Sequence, residues 1–278
     1  MGNGADLHIH TRCSDGADAP ETVVSIAVKK DLQCIAITDH DTVDGIAPAM
    51  EAAAGTGLEV IAGVELSSHD GGRDIHILGY CFDPEHAVFQ ERLRLFRETR
   101  LTRIQRMLEK LDSLGMTMSL EDVMCLADSD AVGRPHVARL MMERGYVQSI
   151  SEAFDEYLGE GSAAYVEKFR QTPQEAIQLI RQAGGVAVMA HPMHTLKDEL
   201  IPGLVEAGLQ GLEVYYPNTS PRVIAFYERI ADKHRLIKTG GSDAHGSYRN
   251  YNPIGIVRVD PAVVEQLRAA SQAGSNSR

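Results

Sequence analysis

Short apolar runs recur along the chain, and nearly all end in a residue type that binds metals. Asp6-Leu7-His8-Ile9-His10 alternates, so a strand would set His8 and His10 on one face and Leu7 and Ile9 on the other. Cys34-Ile35-Ala36-Ile37-Thr38 reads as a buried strand ending in Asp39-His40-Asp41. Leu58 to Val64 ends in Glu65, and Asp74 to Tyr80 carries His76 inside an alternating strand. Val186 to Ala190 ends in His191-Pro192, Gly211 to Tyr215 is a further strand, and Ile237 to Ser242 delivers Asp243 and His245. Ligand-type residues at the carboxyl ends of successive strands are how an α/β barrel assembles one site.

Helical spacing fills the intervals. Helices are expected from Pro20 to Lys30, from Thr172-Pro173 to Gln182, from Asp198 to Glu206 and from Ser220-Pro221 to Lys233. A last one starts at Asp260-Pro261 and frays beyond Ala273. A different texture separates the two groups of strands. Leu93, Phe96, Leu101, Ile104, Met107, Leu108 and Leu111 mark an amphipathic helix from Phe89, ended by Gly115. Ser119-Leu120-Glu121-Asp122 caps a short helix to Ala127. Pro135 opens another that stops at Gly145, and Ser151 caps a third, to Leu158. The expectation is a barrel from residues 1–99 and 169–278, with a helical insertion at 100–168 lying over the mouth of the site. The alternative for the insertion is a packing appendage.

Basic residues on that insertion suggest phosphate recognition. A helix N-terminus attracts anions and an adjacent arginine grips phosphate bidentately, which singles out Arg134 with His136, and Lys168 further on. Arg12, between His10 and Asp15, and His194, three residues past His191, are candidates for substrate contact, His194 also for proton donation.

Composition narrows the classes. The 278 residues, 44% of them hydrophobic, suffice for one full barrel. The net charge of −12 disfavours long duplex nucleic acid, although divalent cations would reverse the sign locally. Cys13, Cys34, Cys81 and Cys125 lack CxxC spacing and read as reduced thiols of a cytoplasmic protein. No long apolar run suggests a membrane segment.

The segments DLHIHTRCSDG, ITDHDT, the Glu65 and His76 strands, AHP and GGSDAHG together resemble the PHP family of metal-dependent phosphoesterases, a branch of the amidohydrolase-like enzymes. The resemblance covers about residues 5–80 and 170–258. It implies a distorted (β/α)7 barrel holding two to three divalent ions. By resemblance His8, His10, Glu65 and Asp243 hold one ion. Glu65 bridges to a second, held with His76 and His191, while Asp15, His40 and His245 hold a third. Some members have His where this chain has Asp15, and the harder oxygen ligand favours manganese, with iron or zinc as alternatives. Glu65 then keeps ions in register and Asp243 also orients the attacking water.

Gly-Arg-Pro-His and Tyr-Val-Glu-Lys resemble a nucleotide-directed PHP subgroup. That implies removal of the 3′-phosphate from nucleoside 3′,5′-bisphosphates, and trimming of short single-stranded RNA from a 5′-phosphorylated end. Two other readings stay open. One is a histidinol-phosphate-type small-molecule phosphatase; the other is an accessory module whose metals are structural.

Overall fold

Seven strands hydrogen-bond in sequence order into one sheet. In the computed structural model, which describes residues 4–126, 132–167, 170–246 and 252–275, β1 (Ala5–Ile9), β2 (Cys34–Ile37) and β3 (Glu59–Asp70) are parallel. β4 (Arg73–Tyr80) is antiparallel to both its neighbours. β5 (Val186–Met189), β6 (Gly211–Tyr215) and β7 (Ile237–Gly240) are again parallel to one another. The sheet nearly closes: the Asp243 N–H donates to His8 O at 2.8 Å and the His10 N–H to Ala244 O at 3.0 Å. The result is a seven-stranded distorted barrel, as the sequence implied.

Helices α1 (Pro20–Lys29) and α2 (Ile46–Ala53) follow the first two strands. α3 (Ala87–Ser113), α4 (Leu120–Cys125), α5 (Arg134–Glu143) and α6 (Ile150–Ala153) lie between β4 and β5 in sequence, and α7 (Pro173–Gln182) leads into β5. α8 (Pro192–Thr195), α9 (Ile201–Glu206), α10 (Pro221–His234) and α11 (Ala262–Ser275) complete the order. Starts are set by caps. Thr172 and Glu175 form a capping box at α7, and Ser119 with Asp122 does the same at α4.

Three details depart from the sequence reading. The third strand does not stop at Val64 but runs on to Asp70, because Gly71 and Gly72, both at positive φ, turn the chain into a hairpin with β4. Leu7 and Ile9 do not share one cluster. The β1–β2 register slips between Asp6 and Ile9, so Leu7 packs with Leu78, Tyr80 and Val188 while Ile9 packs with Val23, Ile37 and Ala49. The α6 cap is Ser149, whose hydroxyl accepts from the Glu152 N–H, rather than Ser151, and Pro135 is the second residue of α5.

The chain divides into two units, Met1–Glu91 with Arg170–Arg278, and Arg92–Phe169. The second has its own core, in which Ile104, Met107 and Leu111 of α3 pack with Val137 and Met141 of α5 and with Leu158. No described helix is long and apolar enough to cross a membrane. All four cysteines are free thiols.

Candidate metal centre

Glu65 is the hub. It sits mid-strand in β3, 1% exposed, and its two carboxylate oxygens face different imidazoles. Oε2 lies 3.2 Å from His8 Nε2, 3.2 Å from His10 Nε2 and 3.3 Å from His40 Nδ1. Oε1 lies 2.8 Å from His76 Nδ1 and 3.0 Å from His191 Nε2. The hairpin register explains the nearest of these contacts. Glu65 pairs with Leu78, so His76, two residues away on the same face of β4, is its diagonal neighbour.

Asp243 completes the deepest set, its Oδ1 3.1 Å from His10 Nε2 and 3.4 Å from His8 Nε2. His8 Nε2 and His10 Nε2 are themselves 3.1 Å apart. Donors that share one ion at about 2.0–2.2 Å must lie about 3.0–3.6 Å from each other, and these spacings fall in that range. Close approach of the barrel ends makes this possible: a Cβ on Gly241 would collide with the His8 backbone. Asp15 anchors a further cluster, with Oδ1 3.2 Å from His245 Nε2, 3.8 Å from His10 Nδ1 and 3.9 Å from His40 Nε2.

Three overlapping groups can therefore each hold an ion: His8, His10, Glu65 and Asp243; His40, Glu65 and His76; and His10, Asp15, His40 and His245. The donor chemistry fits, since neutral imidazole with carboxylate suits divalent first-row metals. Buried polar atoms point the same way. His10 Nδ1, which faces Asp15, and His40 Nδ1, which faces Glu65, are buried without a hydrogen-bond partner among the described residues, a costly condition that a cation in these clusters would relieve.

Electrostatics bind the cluster together. Burial alone would lower His10, yet Asp243 and Glu65 carry it up to about 10; His8 is likewise raised against its burial by Glu213, Asp243 and Glu65. Burial would raise Glu65 and Asp243, but the surrounding imidazoles hold both below the usual carboxylate range. His40 is pushed down to about 3, chiefly by burial.

All nine ligand-type residues from the sequence thus converge in the first unit. The residues expected to contact substrate are placed less uniformly. Arg12 is exposed on the loop between His10 and Asp15. His194 is exposed on α8, its ring edge-on to Tyr216 with centroids 4.7 Å apart. In the second unit, Arg134 donates from Nη1 to Leu158 O at 3.2 Å and lies 5.5 Å from the Phe154 ring centroid. The Gly133 N–H donates to His136 Nδ1 at 3.1 Å, so this histidine caps α5. Lys168 lies outside the described residues.

Two residues escaped the sequence reading. Glu213, fully buried in β6, accepts from His8 Nδ1 at 2.9 Å with Oε1 and from the His191 backbone N–H at 2.7 Å with Oε2. That fixes the His8 tautomer, leaving Nε2 as the free donor. Tyr216 donates to Asp243 Oδ2 at 2.7 Å. The signal for Glu213 was available as a lone carboxylate inside an otherwise apolar strand; Tyr216, on the loop after that strand, gave none.

The chain resembles known proteins in sequence and in fold. A family profile described as PHP domain matches residues 6–188. The chain is 37% identical to the 5'-3' exoribonuclease Rnm of Escherichia coli over 247 residues, 86% of this chain and 84% of the relative. It is 35% identical to a 3',5'-nucleoside bisphosphate phosphatase of Chromobacterium violaceum over 246 residues, 86% of each chain. A solved structure from Bifidobacterium adolescentis superposes with a TM-score of 0.82 at 32% identity, covering 96% of both chains.

Proposed function

This chain belongs to the PHP family of metal-dependent phosphoesterases, and we propose that it hydrolyses the 3′-phosphate of nucleoside 3′,5′-bisphosphates, releasing inorganic phosphate and a 5′-nucleotide. Short 5′-phosphorylated oligoribonucleotides are the second substrate class, a reading favoured by the 37% identity to an exoribonuclease. The observation that carries the proposal is the division of Glu65 between two groups of imidazoles, Oε2 facing His8, His10 and His40, and Oε1 facing His76 and His191.

The residues that would hold divalent ions are His8, His10, Asp15, His40, Glu65, His76, His191, Asp243 and His245. Two to three ions are expected, with manganese favoured and iron or zinc as alternatives. Bound ions supply positive charge to phosphate oxygens and make a water nucleophilic at neutral pH. The protein contributes the rest. Glu65 keeps the two groups in register. Glu213 orients His8 and the His191 backbone. Asp243 directs one oxygen into the deepest set and so orients the attacking water. His194, at the exposed rim beside Tyr216, contacts the substrate and is the candidate donor of a proton to the leaving oxygen. Arg12 contributes a charge-assisted contact to phosphate. No serine or cysteine nucleophile is called for.

The acidic chain, at −12 overall, favours small nucleotides and short single strands over duplex. Free thiols at all four cysteines suit a reducing compartment such as the cytoplasm. The test is a manganese-supplemented rate panel with adenosine 3′,5′-bisphosphate, a 5′-phosphorylated trinucleotide, histidinol phosphate and 3′-AMP. The bisphosphate should be fastest. A faster histidinol phosphate would replace this reading with the small-molecule phosphatase.

A further inference from the structure

Asp243 shows its two oxygens to different partners. Oδ1 faces His10 Nε2 at 3.1 Å and His8 Nε2 at 3.4 Å, whereas Oδ2 accepts the Tyr216 phenol at 2.7 Å. The residue is also fixed at its backbone, where φ is 49° and the N–H donates to His8 O at 2.8 Å. Both ends of the side chain are therefore held, and only Oδ1 is left for the His8–His10–Glu65 group.

We propose that Tyr216 is a positioning residue that keeps Asp243 a one-oxygen ligand and so preserves an open position at the deepest ion. The inference rests on the reading of His8, His10, Glu65 and Asp243 as a metal site. Its physical basis is that a carboxylate can bind a cation through one oxygen or both. Manganese, the favoured ion, takes up to six ligands, so four one-atom protein donors leave room for water or substrate, and a second Asp243 oxygen would take part of it. If the phenol were removed, Oδ2 would be a buried carboxylate oxygen without its donor, and the nearest compensation would be the ion itself.

Tyr216 is well suited to a clean test. Its ring stands edge-on to His194, with centroids 4.7 Å apart, and to His191 at 5.8 Å. Tyr216→Phe keeps those ring contacts and deletes only the hydroxyl. Its neighbour provides the control, because Tyr215 donates to Glu228 Oε1 at 3.0 Å, a carboxylate outside the ligand-type clusters.

The experiment is visible absorption of the cobalt(II)-loaded protein, in which added ligands weaken the d–d bands, read beside ion stoichiometry, kcat and KM. Tyr216→Phe should retain the wild-type number of ions, lose d–d intensity, and lower kcat at least tenfold with KM little changed. Tyr215→Phe should leave both spectrum and kcat as in wild type. Melting of the metal-free variants checks that each is folded. Asp243→Asn is a second variant that does not depend on Tyr216→Phe folding. An amide ligates through its single oxygen, so its d–d intensity should match wild type. An unchanged spectrum in Tyr216→Phe, a lost ion in that variant, or stronger bands in Asp243→Asn would each overturn the proposal. The spectrum reads the carboxylate independently of substrate, so a wild-type protein inactive on nucleotides would refute the proposed reaction without touching this result.

Discussion

Glu213 Oε1 lies 2.9 Å from His8 Nδ1, with both side chains fully buried. The bond commits His8 to offering Nε2, and the other Glu213 oxygen holds the His191 backbone N–H at 2.7 Å. One carboxylate in β6 thus orients residues at the ends of β1 and β5. Glu213→Gln should weaken metal affinity about 10–100-fold, the usual effect of losing such a partner. Competition with a chelator measures it, and unchanged affinity would reduce Glu213 to a packing role.

The ligand set itself makes a sharper demand. His8→Ala and Asp243→Ala should each abolish turnover and reduce the ions per chain, read by metal analysis of the purified variants. Active, unchelated wild-type protein carrying under one ion per chain would contradict the assignment.

Loading should release protons. In the metal-free protein His8 and His10 are raised above the 6.5 of a free imidazole, His10 to about 10, by Glu65, Asp243 and, for His8, Glu213. Their protonation therefore stabilises the metal-free fold fully below pH 6.5, and for His10 that contribution fades as pH rises through about 10. An ion needs the deprotonated rings. Calorimetry at pH 8 in buffers of different ionisation enthalpy should show at least about one proton released per ion bound at this set. Affinity should fall as pH is lowered. A buffer-independent heat would refute the coupling.

Arg12, exposed between His10 and Asp15, is expected to contact phosphate. Arg12→Ala should cut kcat/KM about 10–100-fold, the scale of a lost charge-assisted hydrogen bond. Ion stoichiometry should stay as in wild type. A rate equal to wild type would return Arg12 to the solvated surface.

Much of this was legible in the chain. The alternation around His8 and His10, and the ligand types after the second, fifth and seventh strands, needed only strand geometry to converge. The hairpin was harder to see, because a strand ending in Glu65 and one carrying His76 read equally well as parallel elements until Gly71 and Gly72 are recognised as the turn. The partners that hold His8 and Asp243 were harder to read for a different reason. Glu213 stands out as a lone carboxylate in an apolar strand, but its pairing with His8 spans 205 positions of sequence and that of Tyr216 with Asp243 spans 27, so local pattern does not show either pairing. Arg134 stands at the helix start that its sequence marks, where Nη1 donates to Leu158 O and the guanidinium lies over the Phe154 ring.

The most direct test of the central claim is the product formed from adenosine 3′,5′-bisphosphate by the manganese-loaded protein, resolved by chromatography alongside a chelated control. The products should be 5′-AMP and inorganic phosphate in equal amounts, with none after chelation. Release of 3′-AMP, or turnover that survives complete removal of metal, would contradict the claim.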